Sequence, residues 1–450
     1  MTTVQASSGT NPRWLRFTGN VAEMSPATRA LLLDRTTSSD PVVRERTAGI
    51  VARVRHDGDA ALLAMVREYD GVESHTLEVP REEWRTALCG LDRELRSALE
   101  RAARNIERAH IAFLPSALEV ETEPGVIVGR RPDPLHRVGV YAPGGRAAYP
   151  SSVLMGVIPA RVAGVEEVIV CSPPTATGLP PDVVLAAAEL GGADRLFAVG
   201  GAGAVAAMAY GSTTIPRVDL IVGPGNAYVA EAKLQVNGLV ATDAPAGPSE
   251  LLVIADGSTD PELVAGEMLA QAEHDPLAAV VAVLVGDGTA ARVVAALARR
   301  LPLMERREIA ADALAARGGV LVANDHDEAV AFANEYAAEH LLLATSGGRV
   351  EQDAMLARLR NCGAVFLGET SSVAFGDYMT GANHVLPTGG LARFHSGLST
   401  LDFVRWTSYQ RVSAPAARAM ASDVGVLARS EGLPAHAEAA IWWGEAGGIA

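Results

Sequence analysis

Residues 271–275 read QAEHD, an amide, an imidazole and two carboxylates within five positions of an otherwise apolar segment. The preceding residues predict a helix. Asp260 suits its N-cap, Pro261 its first turn, and Leu263, Val264 and Met268 make an apolar face. Gln271 and His274 stand three apart near the end of that helix, so their side chains project to the same side. An amide oxygen and an imidazole nitrogen aimed at one spot suit a metal ion or a polar substrate. A solvated helix end is the plainer alternative, and this stretch alone leaves both open.

Further polar clusters fall at turns and strand ends. Asn226 follows a Gly-Pro-Gly turn, Ser249 closes APAGPS, and Glu339 and His340 stand together at the entry to an apolar run. Asp377 and His384 lie in the Gly-rich FGDYMTGANHVLPTGG, and Glu431 and His436 in SEGLPAH. Singly, each has an ordinary explanation: a turn asparagine, a capping serine, a solvated carboxylate. As a set they carry more. Gln271, His274, Asp377 and His436 would supply two imidazoles and two oxygens, which suits zinc or a similar divalent ion. Glu339 and His340 would make an acid/base pair, because imidazole takes a proton near neutrality and a carboxylate activates water.

One pattern competes for attention. Gly201, Gly203 and Ala206 fit the G-x-G-x-x-A dinucleotide fingerprint after a strand. The acidic residue expected about 20 positions on, after the next strand, is missing, since Asp219 precedes the LIV run. In so Ala/Gly-rich a chain the pattern also arises by chance.

The elements that must position these residues alternate. From 137 onward, short β-branched runs (RVGVY, EEVIVC, RLFAV, VDLIV) are separated by helical stretches. The same rhythm resumes at ELLVIAD (250–256), AAVVAVLVG (278–286), GGVLVAND (318–325), HLLLAT (340–345) and AVFLG (364–368). This predicts an α/β fold with two doubly wound, Rossmann-like domains. In such sheets ligands are expected beyond the carboxyl ends of the strands. Residues 22–113 repeat apolar positions at three and four and predict helices, as does the tail from about 390. The division expected is a helical N-terminal region (1–120), a first α/β domain (121–248), a second (249–389) and a C-terminal helical arm (390–450) suited to docking on another subunit.

Composition narrows the function classes. The chain has 450 residues, and 38 basic against 53 acidic residues leave a net charge of −15. There is no cation excess to displace phosphate counterions, so nucleic acid is not an expected partner. Cys89, Cys171 and Cys362 are far apart and in no CxxC spacing, so neither a disulfide framework nor a thiolate zinc site is indicated. The start shows no signal-peptide pattern, and LAAVVAVLV at 277–285 falls well short of the roughly 18 residues a membrane span needs. The expectation is a soluble cytoplasmic protein with no membrane partner.

Ordered along the chain, VGVYAPGG, YPSSVLM, PARVAGV, VGPGNAYV, AGPSELLVIAD, QAEHD, AAEHL, GDY, NHVLPT, SGLS and EGLPAH together resemble the histidinol dehydrogenase family from about residue 40 to 440. The resemblance implies a homodimer with a domain-swapped tail, one zinc ion per subunit, and NAD as oxidant. It implies four-electron oxidation of L-histidinol through L-histidinal to L-histidine, with two NAD per substrate, in histidine biosynthesis. Carried over motif by motif, Gln271, His274, Asp377 and His436 are implied metal ligands, His436 reaching across from the other subunit. Glu339 and His340 are the implied catalytic pair. The same resemblance implies that Ser249, Gln271, His274, His340, Asp377, Glu431 and His436 meet the substrate, and that Tyr141, position 203 and Asn226 meet NAD.

The chain departs from the family pattern in places. Gly203 replaces the usual glutamine, SSVAF at 371–375 replaces a stretch that commonly carries PES, AAEH stands for APEH, and the end reads IWWGEAGG. Two alternatives follow: a paralogue acting on another amino alcohol or hydroxylated acid, and a non-catalytic metal-binding protein on the same scaffold. The presence of Glu339 and His340 beside all four implied ligands weighs against the second.

Overall fold

The computed structural model describes residues 14–36, 40–144, 148–286, 288–345 and 347–445. Its strands are β1 (Phe17–Asn20), β2 (Leu118–Glu123), β3 (Val126–Pro134), β4 (Arg137–Tyr141), β5 (Glu167–Ser172), β6 (Arg195–Ala198) and β7 (Leu220–Val222). They continue as β8 (Ala241–Thr242), β9 (Glu250–Asp256), β10 (Ala279–Val285), β11 (Gly319–Ala323), β12 (His340–Ala344), β13 (Ala364–Leu367) and β14 (Val404–Val412). Two all-parallel sheets carry the fold, in the orders β6-β5-β4-β7-β8 and β1-β11-β10-β9-β12-β13.

Both sheets are buried on both faces, which is why their strands are nearly continuous apolar runs. The period of two still sorts the side chains. In β9, Leu251, Val253 and Ala255 pack into one helical layer while Leu252 and Ile254 pack into the opposite one. In the first sheet Val138, Val140, Val168 and Val170 face one layer and Tyr141, Ile169 and Cys171 the other. In each sheet the chain winds outward and then returns to the starting strand's other side, so β4/β7 and β9/β12 are the switch points.

The structure adds what periodicity alone did not predict. Residues 1–120, read as one helical region, contribute to both sheets where they are described. β1 pairs with β11 and the helix Pro26–Leu33 packs beneath the second sheet, whereas helices from Pro41 to Ala112 cover the first. A third, antiparallel sheet, β14-β3-β2, joins the hairpin at 118–134 to the tail. The tail from 390 is therefore not all helix. Val404, Trp406, Thr407, Tyr409 and Val412 make a strand-forming run, and it pairs with a strand distant in sequence, which no local window reveals. The helices Ala414–Ser430 and Pro434–Glu445 follow. No described helix is long and apolar enough to cross a membrane.

Candidate active site

A cavity of about 860 Å³ lies between the two sheets. From the first sheet, Pro143, Gly144 and Pro224–Ala227 reach it from the carboxyl ends of β4 and β7, as expected at a switch point. The second sheet presents its opposite edge. Ser249 precedes β9, His340 is the first residue of β12, and His274 and Leu277 precede β10. The cavity thus lies at the carboxyl ends of one sheet and the amino ends of the other, because the two sheets meet head to tail across it.

The register of β12 on β9 sets the chemistry. His340 pairs with Leu251, so it lies against the peptide of Glu250. The His340 Nδ1 is 3.0 Å from the Glu250 carbonyl oxygen, which can only accept, so the hydrogen belongs on Nδ1. That leaves Nε2 as the proton acceptor of the neutral ring, buried and without a hydrogen-bond partner. Glu339 Oε2 accepts from the Glu250 N–H at 2.7 Å and lies 3.3 Å from His340 Nδ1. Asp377 Oδ1 is 3.5 Å from His340 Nε2. Burial alone would depress the imidazole, but the adjacent carboxylates of Glu339 and Asp377 outweigh it and hold His340 well above its ordinary value of 6.5. For Glu339 burial leads, pushing the carboxyl up against the opposing pull of His340. Asp377 also feels burial, but His340 holds it below the usual carboxylate range.

The opposite wall is the QAEHD segment. The helix is Pro261–Ala272, with Asp260 accepting from the Glu262 N–H and Pro261 in the first turn, as the residues predicted. Gln271 is buried and His274 more open, and both line the cavity with Ser249, Asp377 and the Glu339–His340 pair. His384 belongs here too. Its Nδ1 donates to the Asp377 carbonyl at 3.0 Å and its Nε2 meets Ser152 Oγ at 3.1 Å, so it braces the Asp377 turn. Sequence reading noted His384 beside Asp377 without a role, and the clue available was its place in the same Gly-rich stretch. Arg306 and Arg317 also line the cavity, and nothing in their spacing pointed there.

Other expected residues lie elsewhere. Asn226 is at the cavity, but its Oδ1 accepts from the Tyr228 and Val229 N–H groups and caps a helix, leaving only its Nδ2 for a ligand. Tyr141 is buried on the far face of β4, its hydroxyl accepting from the Gly201 N–H, and burial pushes its pKa up to about 12. Gly203 is interior to the helix Gly201–Tyr210, where a Cβ would stand 3.2 Å from Met65 Sδ. Gly203 thus serves close packing, whereas Gly201 has open space beside its Cα and takes a φ of +62°. Glu431 and His436 are exposed on the tail helices and do not line the cavity of their own chain.

These positions bear on metal binding. Among the described residues no three His, Cys, Asp or Glu side chains stand close enough to hold an ion by themselves. Gln271, His274 and Asp377 do share one cavity, a mixed oxygen and nitrogen set that fits a borderline divalent ion once a further donor is supplied.

The family model described as histidinol dehydrogenase matches residues 33–442. The chain is 49% identical to the histidinol dehydrogenase of Natronomonas pharaonis over 93% of this chain and 97% of that protein. It is 44% identical to that of Chromobacterium violaceum over 95% and 98%. The crystal structure of histidinol dehydrogenase from Elizabethkingia anophelis superposes with a TM-score of 0.91 at 31% identity, covering 96% of this chain and 99% of the other. The chain therefore belongs to the histidinol dehydrogenase family, a family of NAD-dependent oxidoreductases.

Proposed function

We propose that the protein oxidises L-histidinol through L-histidinal to L-histidine, reducing two NAD, with one zinc ion per subunit and sites shared across a homodimer. The observation that carries this reading is the His340 Nε2, buried 3.5 Å from Asp377 Oδ1 in a cavity whose other wall is Gln271 and His274. In its neutral form His340 takes the hydroxyl proton at Nε2 as hydride leaves for NAD, and the flanking carboxylates that raise its pKa stabilise the imidazolium that results. Glu339, kept from solvent and held by the Glu250 N–H, activates the water that attacks the aldehyde. Burial of this pair keeps the reactive amino aldehyde in a site with little bulk water. Ser249 and the partner subunit's Glu431 are assigned to the substrate, and Asn226, at the cavity, to NAD.

Zinc would be held by Gln271, His274 and Asp377 with His436 of the partner subunit, and would supply a Lewis-acid anchor for the substrate's amine and imidazole. Support for the shared site comes from the tail. His436 and Glu431 point to solvent, and Val426, Leu427, Trp442 and Trp443 on the same two helices are 62%, 65%, 50% and 51% exposed. An apolar face of that kind on a soluble chain suits docking.

The test is the NADH formed per mole of L-histidinol by zinc-loaded protein. The expected yield is about two equivalents, abolished by a chelator. Absence of NADH from histidinol, in protein that retains zinc, would shift the assignment to another amino alcohol.

A further inference from the structure

We propose that Arg35 and Glu250 are positioning residues for the catalytic pair, a buried device that fixes where Glu339 and His340 stand. The inference rests on the reading of Glu339 and His340 as catalytic.

Glu250 holds both with its main chain: its N–H donates to Glu339 Oε2 at 2.7 Å and its carbonyl accepts from His340 Nδ1 at 3.0 Å. The placement of that one residue's main chain, with the peptide units on either side of its Cα, sets the carboxylate position and the imidazole tautomer together. Its side chain is anchored from behind. Oε1 accepts from Arg35 Nε at 2.8 Å and from the Gly389 N–H at 2.7 Å, and both partners of the ion pair are 2% exposed. Arg35 in turn holds the approach to Glu339. Its Nη2 donates to the carbonyl of Tyr336 at 2.6 Å and to that of Ala337 at 3.4 Å, and its guanidinium lies 3.6 Å from the Tyr336 ring centre. Ala337 is the one non-glycine residue with positive φ among the described residues, at 54°, just two positions before Glu339. A left-handed alanine needs surroundings that impose it.

A buried ion pair is a poor route to stability, since well-packed apolar side chains often serve as well. Its use here is geometric. Arg35 comes from the N-terminal segment, Gly389 from the loop after Asp377, and Glu250 from the head of β9, so three separate stretches are locked at the back of the site. The substrate-holding residues on the opposite wall, Gln271 and His274, are not part of this lock.

The experiment measures kcat, KM for L-histidinol, zinc content and Tm for Glu250→Gln, Arg35→Met, the double variant Arg35→Met/Glu250→Gln, and Glu339→Gln as reference. Positioning predicts a kcat lowered about 10- to 100-fold in folded, zinc-containing single variants, with KM within about threefold. The double variant removes both buried charges and regains Tm, yet its kcat stays at least about tenfold down, because the lock is gone. Recovery of kcat along with Tm in the double variant, or single variants turning over within about twofold of the parent, would overturn the proposal. If the singles do not fold, the double variant decides. Full turnover by Glu339→Gln would instead overturn the catalytic assignment, whatever the Arg35 and Glu250 variants do.

Discussion

Lys233 and Asp243 carry opposite charges beneath the turn that brings Asn226 to the cavity. Lys233 Nζ donates to Asp243 Oδ1 and to the Gly223 carbonyl, each at 2.5 Å, while Asp243 Oδ2 accepts from the Gly223 N–H at 2.7 Å. The two side chains are 4% and 5% exposed. Gly223 needs this clamp and needs to be glycine: its φ is +113°, and a Cβ would collide with the Tyr141 carbonyl oxygen. Lys233→Met leaves a buried carboxylate unpaired, and it should cost about 3–5 kcal/mol in a urea titration, part of which Asp243→Asn restores in the double variant. At this scale the sequence was most informative where residue type alone is unusual. Gln271, His274, Glu339, His340 and Asp377 stood out because polar groups interrupt apolar runs, and they share one cavity. Arg35, Glu250, Lys233 and Asp243 did not stand out, because a charge in a loop or helix reads as solvated until its burial is known.

At the scale of the element, the helix Arg93–Ala112 shows how regular patterning carries an unusual group inside. Leu99, Ala102, Ile106 and His110 form its buried stripe at spacings of three and four. His110 is 1% exposed, neither ring nitrogen has a hydrogen-bond partner, and the ring meets Phe113 edge-on at 5.6 Å. Burial lowers its pKa from 6.5 to about 4. The folded protein therefore holds a neutral ring while the unfolded chain takes up a proton below 6.5, so stability is fully present above that pH and falls as pH drops towards 4. Relative to neutrality the loss at pH 5 is about 2 kcal/mol. His110→Leu should flatten that slope, measured as the change in urea midpoint between pH 7.5 and pH 5. An unchanged slope would mean that other groups dominate acid unfolding. The same regularity explains which elements were legible. Strands β4 to β7 and β9 to β13 could be read because burial makes apolar runs, whereas β1 and β14 depend on distant partners for their pairing and the local hairpin β2–β3 is largely exposed and carries no such run.

For the whole molecule, the question is which chain completes the cavity. Gln271, His274, Asp377 and the Glu339–His340 pair line it in one chain, while His436 and Glu431 of that chain stand exposed on the tail. A shared site makes a mixing experiment decisive. His436→Ala and Glu339→Ala subunits, each inactive alone, should regain about a quarter of parental activity after random reassortment, since half the dimers are mixed and each mixed dimer has one intact site. No recovery, with mixed dimers demonstrated by differently tagged subunits, would place a complete site within each chain and remove the role assigned to the tail.

The sequence by itself determined the alternation of strands and helices, the family, and the short polar motifs, because these are written in local periodicity and in contiguous residue types. Tertiary structure alone decided that the second sheet turns its amino edge to the cavity, that Tyr141 and Gly203 pack inside, and that the main chain of Glu250 holds both Glu339 and His340. The reason is physical. Burial, strand register and the pairing of charges hundreds of residues apart are set by packing between distant segments, and no window along the chain contains both sides of such a contact.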